Sequence, residues 1–303
     1  MTEAEILAKN ARRAVKAGLR EAEHRFLQLE DLAEYCLSRL SAKKRTLSAT
    51  AVLAELRAAI AASMDVLKEK EEQQTEDLHL FNKGLLSVDT AVFCRILAER
   101  LAASPTYAGM WQSKRAVGDT VCYVKTAQAE KAFSLFAKER PNARVFYISN
   151  AEEGFSAVDG MRADYTIMPY ETADGVRLLQ TERLAERYDL RLAAVFCVTD
   201  ATMDERVLYA LYAKEAAPFA LAAKSAAELT LAGGEELIER ASAILSIFPY
   251  LLVSPKRFYC VPDSHGRMRA RFSLEGKDYG ALRLFLSLFC TEEAKLDVFS
   301  ILI

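Results

Sequence analysis

A short polar segment that follows an apolar stretch is the part of this sequence best placed to do chemistry. It contains Glu171, Thr172, Asp174 and Gly175, and an amphipathic helix is predicted to begin close behind it, near Val176. Ligands of open α/β sheets bind where strands end, and the free amides at the start of a helix attract a carboxylate. We therefore predict that these four residues bind a small molecule that carries a carboxylate. The alternative is that Glu171 and Asp174 only cap the helix.

The composition excludes several classes of function. The chain has 303 residues, of which 51% are hydrophobic and 27% are charged, and its formal net charge is -2. That balance gives no overall basic field for nucleic acid or for an anionic membrane surface. No apolar run reaches the roughly 20 residues of a membrane span, and the first residues lack the pattern of a secretion signal, so we expect a cytoplasmic protein. The six widely spaced cysteines and three histidines form no metal-binding pattern, and we predict neither a metal nor a cofactor.

Three segments with different patterns follow one another along the chain. Up to residue 103 there is no proline and there are only two glycines, and apolar residues recur at helical spacing. Residues 1–110 are therefore predicted to form an all-helical bundle, which a second copy of the chain could complete. In residues 119–200, short β-branched and aromatic runs alternate with helices, which predicts an α/β lobe. Residues 205–303 follow the order strand, helix, strand, strand, helix, strand, beginning with the strand Val207 to Ala213, and this order is typical of a ferredoxin-like domain.

The stretch from Ala163 to Gly175, ADYTIMPYETADG, resembles the A-D-Y-G-V-x-P-x-E-N-S-x-x-G signature of prephenate dehydratase, and the predicted elements upstream follow in the same order. The last hundred residues are similar to the ACT domain, the regulatory amino-acid-binding module that follows that enzyme. The helical segment in front looks like the chorismate mutase domain of the fused bacterial enzyme.

The resemblance implies a multidomain protein with three parts. These are a chorismate-mutase-like all-α domain at 1–110, a lobe like half of a periplasmic binding protein at 119–200, and an α+β ACT-like domain at 205–303. It also implies that Gly280, Ala281 and Leu282, which match a G-A-L motif of the ACT domain, contact an allosteric ligand.

The catalytic motifs of the family are incomplete in this chain. The family's G-P-x-G-T-x-S turn is replaced by the glycine-free stretch Val124 to Ala129, and its E-N-S becomes Glu171-Thr172-Ala173. No set of arginines and lysines matches that of the mutase. Two alignments of the remainder are open. Either Val207 to Ala213 opens a complete ACT-like domain and the second dehydratase lobe is absent, or Lys256-Arg257-Phe258 stands where the family has T-R-F. In both alignments the catalytic threonine hydroxyl is missing.

We therefore predict a prephenate-dehydratase-like protein of phenylalanine biosynthesis, in which catalysis is eroded and binding of prephenate or of an aromatic amino acid is retained. The resemblance further implies a homodimer. If the protein is still an enzyme, it is a dehydratase, and chorismate mutase activity is not expected. The alternatives are an inactive regulator that senses an aromatic amino acid and a helical oligomerisation scaffold.

Overall fold

The computed structural model describes residues 3–40, 49–71, 87–105, 107, 118–200, 205–215, 224–233, 236–262, 266–290 and 294–302. The chain divides into two units, and each is assembled from separate stretches of sequence. The first, which we call the helical unit, comprises Met1–Trp111, Ser246–Leu251 and Gly280–Thr291. The second, the sheet unit, comprises Gln112–Leu245, Leu252–Tyr279 and Glu292–Ile303.

The helical unit contains the N-terminal helices and one helix from near the C-terminus. Its elements are α1 (Glu3–Ser38), α2 (Ala49–Glu71), α3 (Val88–Ala103), the 3-10 helix Phe248–Leu251, and α8 (Gly280–Phe289). α3 begins after Ser87, whose hydroxyl accepts a hydrogen bond from the Thr90 amide at 3.2 Å and so satisfies a free N–H of the first turn. α3 lies against α1 and α8 and has a central position in the unit.

The sheet unit is built on nine strands within the described residues. Its strands are β1 (Thr120–Val124), β2 (Arg144–Ile148), β3 (Tyr165–Glu171), β4 (Arg191–Asp200), β5 (Glu205–Ala213), β6 (Lys224–Ala232), β7 (Val253–Pro262), β8 (Met268–Gly276) and β9 (Ala294–Leu302). The remaining helices are α4 (Ala127–Glu139), α5 (Ala151–Asp159), α6 (Leu179–Arg187) and α7 (Leu237–Ile247). The order across the sheet is β2-β1-β3-β5-β4-β9-β6-β8-β7. The predicted mixed α/β character with a large sheet is thus confirmed.

The sheet combines a lobe and a ferredoxin-like half. β1 is parallel to β2 and β3, and β5 is antiparallel to β3 and β4. The strands β9-β6-β8-β7 are antiparallel, and their order is the one that a strand, helix, strand, strand, helix, strand unit adopts. β4 joins the two halves because it pairs in parallel with β9.

The prediction for the first strand of the ferredoxin-like half was wrong. Val207 to Ala213 is β5, and it pairs with β3 and β4 of the lobe. The strand that opens the ferredoxin-like half is β6, Lys224–Ala232, which the sequence did not reveal. Its residues KSAAELTLA are rich in alanine and contain a glutamate, both of which are poor strand formers, so pairing with β8 and β9 overrides local preference.

Apolar side chains of the lobe alternate between the two faces of the sheet. Val121 and Tyr123 lie in one core cluster with Phe136 of α4, whereas Cys122 lies in the other with Phe155 of α5. This period of two is what a strand covered by helices on both faces requires. None of the described helices has the length and apolarity that a bilayer crossing would need.

Candidate ligand-binding site

The polar segment predicted to bind a ligand forms a tight turn at the end of β3. The Thr172 amide donates to the Val176 carbonyl oxygen at 3.0 Å, and the Val176 amide donates to Thr172 Oγ1 at 3.2 Å. Gly175 has φ of 77°, a conformation that residues with a Cβ rarely adopt. The turn therefore uses the Thr172 hydroxyl internally and depends on glycine, while Asp174 is exposed on it.

The helix that follows starts later than predicted. α6 begins at Leu179, and its N-cap is Leu178, whose apolar side chain cannot satisfy a free amide. The Thr181 and Glu182 amides instead donate to the Leu178 carbonyl oxygen at 3.0 and 3.3 Å. The prediction that the helix begins near Val176 was therefore wrong, whereas the predicted carboxylate site at this turn stays a prediction.

Glu171 is buried and bound by two arginines. Its side chain is 8% exposed, and Oε2 lies 3.1 Å from Arg177 Nε. Oε1 accepts a hydrogen bond at 3.0 Å from Nη1 of Arg257, which comes from β7. Both carboxylate oxygens therefore lie beside guanidinium groups, and Glu171 is placed to orient these cations.

Arg177 extends the ion pairing inward to β6. Its Nη2 donates to Glu228 Oε2 at 2.9 Å, and its guanidinium lies 3.7 Å from the centre of the Tyr170 ring. The Tyr170 hydroxyl donates to the same Glu228 oxygen at 3.1 Å. Burial alone would lower the pKa of Arg177, but Tyr170 and Glu228 raise it above its ordinary value, so this guanidinium stays charged.

A second buried arginine, Arg271 of β8, lies among three glutamates. Its side chain is 7% exposed and lies 2.7 Å from Glu182, 2.6 Å from Glu186 and 3.6 Å from Glu228. Burial raises the pKa of Glu182, while the charge of Arg271 opposes that shift. Arg269 adds a further contact to Glu186 at 2.9 Å. We call the eight residues so connected the charge cluster: Glu171, Arg177, Glu182, Glu186, Glu228, Arg257, Arg269 and Arg271.

Strand register places much of this cluster on one face of the ferredoxin-like half. Residues two apart on a strand share a face, and paired residues lie side by side across the sheet. Two neighbouring rows of residues run across the four strands, and we call them together the polar sheet face. The first row is Arg257, Ser273, Glu228 and Asp297, and the second row is Tyr259, Arg271, Thr230 and Lys295.

A cavity of about 210 Å³ opens between this face and α6. Its charged lining comprises Glu182, Glu186, Glu228, Asp297, Arg269, Arg271 and Lys295, with Tyr170 and Tyr212 beside them. Burial raises the pKa of Asp297, against the lowering effect of Lys295 and Arg191. A cavity lined by both signs of charge suits a small ligand that has donors and acceptors better than a purely apolar one.

Two hydroxyl groups on the polar sheet face have unused hydrogen-bonding capacity. Tyr259 Oη and Ser273 Oγ are buried, and neither has a hydrogen-bond partner in the part of the chain that the structure describes. A buried hydroxyl without a partner costs stability, so such groups are commonly satisfied by a ligand or by water. Burial also raises the pKa of Tyr259 to about 12, which keeps its hydroxyl protonated and able to donate.

The other predicted ligand residues belong to the helical unit. Gly280, Ala281 and Leu282 form the first turn of α8 and are buried. The structure thus gathers Glu171, Thr172, Asp174 and Gly175 in one turn and places the G-A-L residues in a different unit. Within the described ranges, no group of three histidine, cysteine or acidic side chains is arranged to hold a metal ion.

Sequence reasoning missed most of the cluster. Arg177, Glu228 and Arg271 were not singled out, although Glu228 lies in a stretch that is otherwise mostly small or apolar. Charged residues at such positions are rarely buried without a partner, and this was the available signal. Arg257 was identified only through the alternative match of Lys256-Arg257-Phe258 to T-R-F.

Among known proteins, this chain resembles several solved structures in its fold. No family model and no curated protein matches the sequence. Among solved structures, the prephenate dehydratase of Streptococcus mutans has a TM-score of 0.51 at 13% identity, over 61% of this chain and 99% of that one. The quorum-quenching acylase GqqA has a TM-score of 0.43 at 12% identity, over 60% and 95% of the respective chains. The prephenate dehydratase of Arthrobacter aurescens, in complex with L-Phe, has a TM-score of 0.42 at 11% identity, over 60% and 89%. The chain therefore shares a fold with the Streptococcus enzyme at low sequence identity.

Proposed function

We propose that this protein binds a small carboxylate-bearing aromatic molecule, prephenate or an aromatic amino acid, on a prephenate-dehydratase-like fold, and that it does not catalyse the dehydration. The observation that carries the proposal is the contact between Arg257 and Glu171, because it joins the segment that resembles T-R-F to the segment that resembles E-N-S. The fold shared with the Streptococcus dehydratase supports the comparison of these segments.

Arg257 is the residue that we assign to the ligand carboxylate. One of its N–H groups is directed at Glu171, whereas its side chain is 54% exposed and its other nitrogen lies next to Gly175. A guanidinium presents five N–H donors in a planar fork that matches a carboxylate. Glu171 holds one side of the fork, which leaves the other side free to meet a ligand at the turn.

The same geometry argues against catalysis. Dehydration needs an acid that protonates the leaving hydroxyl group, and the family uses a threonine hydroxyl at this point in its motif. In the alignment that matches Lys256-Arg257-Phe258 to T-R-F, this position is Lys256, which pairs with Glu275 at 3.0 Å on the exposed edge strand. Glu171 lies between two guanidinium groups, with one of them beside each carboxylate oxygen.

We expect the purified protein to show little or no conversion of prephenate to phenylpyruvate, because loss of an essential catalytic group typically costs about 10³-fold or more. Phenylpyruvate formation, followed by absorbance, is the measurement. Turnover at an ordinary enzymatic rate would contradict the proposed lack of catalysis but not the proposed ligand binding.

Ligand binding is tested by replacing Arg257 with alanine. Calorimetric titration of prephenate, phenylalanine, tyrosine and tryptophan should identify a ligand, and Arg257→Ala should weaken its binding by about 10- to 150-fold, the equivalent of one lost hydrogen bond to a charged group. Lys256→Ala is the matched control because it removes an exposed cation from the neighbouring position. Equal weakening in the control would mean that general attraction between charges, and not the Arg257 fork, holds the ligand. If none of the four compounds binds at millimolar concentration, the binding proposal fails and the helical scaffold alternative takes its place.

A further inference from the structure

The cavity between α6 and the polar sheet face contains a loose ion pair. Asp297 Oδ1 accepts a hydrogen bond at 3.2 Å from Arg191 Nη1, but Oδ2 lies 3.8 Å from Lys295 Nζ, which is too long for a hydrogen bond. Lys295 donates to the Leu190 carbonyl oxygen at 3.3 Å, which uses one of its three N–H groups. Asp297 and Lys295 therefore bring opposite charges to the cavity while retaining hydrogen-bonding capacity toward the described part of the chain.

Strand register places the two signs of charge in neighbouring rows on the floor of the cavity. In one row, Asp297 of β9 lies beside Glu228 of β6. In the next row, Lys295 lies beside Thr230, and Thr230 lies beside Arg271. Residues two apart along a strand face the same side of the sheet and are roughly 6.5 Å apart. An acidic row therefore runs next to a row that contains two cations and a hydroxyl group.

The charges around the cavity are balanced. Four acidic and three basic side chains among the described residues line it, and Arg177, which contacts Glu182 and Glu228 at 3.7 and 2.9 Å, supplies the fourth positive charge. Arg191 also contacts Asp297, but it is 41% exposed, so water and salt screen its charge. A ligand with a net charge would leave a buried charge without a partner, which is costly. A ligand that carries one charge of each sign avoids this cost.

The size of the cavity limits its occupant to a small molecule. Its volume is about 210 Å³. A protein cavity of about 150 Å³ holds one benzene molecule, so about eight non-hydrogen atoms fit here. Ala185 and the buried Leu190 and Leu192 supply an apolar part of the lining. An aliphatic amino acid such as valine combines this size with both charges and an apolar side chain, whereas phenylalanine and prephenate are larger.

We propose that the cavity is a second binding site, which takes a small aliphatic α-amino acid with its ammonium group on Asp297 and its carboxylate on Lys295 and Thr230. The ammonium group donates to Asp297 Oδ2, and the carboxylate accepts from the Lys295 N–H groups and the Thr230 hydroxyl. Two charge-assisted hydrogen bonds through the ligand replace the loose contact between Asp297 and Lys295. The site is distinct from the one assigned to Arg257, which is not among the residues lining the cavity. It also lies within the sheet unit, whereas the predicted G-A-L residues belong to the helical unit.

The first test is calorimetric titration of the full chain with valine and with two analogues that each lack one charge. Valine should bind at millimolar concentration or below. The keto acid of valine lacks the ammonium group and isobutylamine lacks the carboxylate, so each brings a net charge into the cavity and loses a hydrogen bond between charged groups. Both should bind at least about 10-fold more weakly than valine. Phenylalanine should not displace valine, because it is too large for the cavity.

Variants assign valine binding to the cavity. Asp297→Asn and Lys295→Met should each weaken it by about 10- to 150-fold, because each removes a hydrogen bond to a charged group. Lys224→Met is the matched control and should have no effect, since Lys224 is a 67% exposed lysine of β6 that lies 4.0 Å from Glu275. Arg257→Ala should also leave valine binding unchanged. Thermal unfolding establishes that the variants are folded, and the analogue series on the wild-type chain does not depend on any variant.

The results distinguish this proposal from the proposed function at Arg257. A chain that binds an aromatic ligand through Arg257 but does not bind valine would overturn the second site alone, and the reverse result would overturn only the site at Arg257. The second site is also overturned if the keto acid binds as tightly as valine, or if Asp297→Asn affects valine binding no more than Lys224→Met does.

Discussion

Replacing Arg271 with methionine is expected to lower the free energy of unfolding by about 3 to 5 kcal/mol. Arg271 lies between Glu182, Glu186 and Glu228, and its side chain is 7% exposed. Methionine fills a similar volume but removes the positive charge, so three glutamates are left together with much less compensation. The cost of a buried charge without its partner is several times larger than the net benefit of the pair itself. Denaturation by urea at neutral pH measures the effect.

Arg187→Met is the matched control for this prediction. Arg187 also pairs with a glutamate, Glu152, at 2.8 Å, but the two side chains are 66% and 59% exposed. We expect that substitution to cost at most about 1 kcal/mol, because water replaces an exposed ion pair readily. Similar losses in both variants would mean that Arg271 contributes no more than a surface pair.

The loss caused by Arg271→Met should depend on pH in a defined direction. Folding raises the pKa of Glu182 through burial, so the folded state binds more protons than the unfolded state over the range between the two pKa values. The contribution of Glu182 to stability is therefore fully present below its ordinary pKa and is lost as the pH rises through the raised value. Without Arg271 the pKa rises further, and the deficit of the variant should grow from acidic to neutral pH.

The sequence predicted those strands whose pattern is visible in a short stretch of residues, and it missed those that depend on distant partners. The strands β1 to β4 were recognisable because apolar and β-branched runs such as Tyr165 to Met168 are bounded by polar turns. β6 was missed because its alanines and glutamate favour other conformations, and it exists as a strand through pairing with β8 and β9. β5 was recognised as a strand but assigned to the wrong half of the sheet, because tertiary contacts select its partners β3 and β4.

The candidate site likewise contains residues that a local sequence pattern reveals and residues that come from distant parts of the chain. Glu171 and Gly175 were identified because a polar, glycine-ended turn after an apolar strand is a local pattern. Their surroundings were not identified, since Arg257 is 86 residues from Glu171 and Glu228 is 51 residues from Arg177 along the chain. Arg177 is close to Glu171 in the sequence, but nothing near Glu171 indicates that Arg257 also lies beside it. A ligand approaching this turn would therefore meet an arginine that Glu171 positions, and Glu171 itself would take part only through that arginine.

Replacing Phe155 with alanine is expected to lower the free energy of unfolding by about 3 to 5 kcal/mol, which is the usual cost of truncating a fully buried phenylalanine. Phe155, on α5, is completely buried in the core on the α5 and α6 face of the lobe. Its ring centre lies 5.2 Å from that of Tyr212 and 6.4 Å from that of Tyr188. Phe258→Ala is the control, because Phe258 on the edge strand β7 is 47% exposed, and it should cost much less.

The Phe155 variant also separates the roles of the cavity and of Arg257. Tyr212 lines the cavity beside α6, so loss of the ring that packs against it should loosen that wall, whereas Arg257 and the turn at Gly175 are held by Glu171. If the ligand carboxylate binds at Arg257 and the rest of the molecule enters the cavity, Phe155→Ala should weaken binding at a temperature where the variant remains folded. Unchanged affinity in Phe155→Ala, together with the expected loss in Arg257→Ala, would instead confine the ligand to the exposed turn. Calorimetric titration of both variants with the same ligand, under the same conditions, distinguishes the two outcomes because it compares their affinities directly.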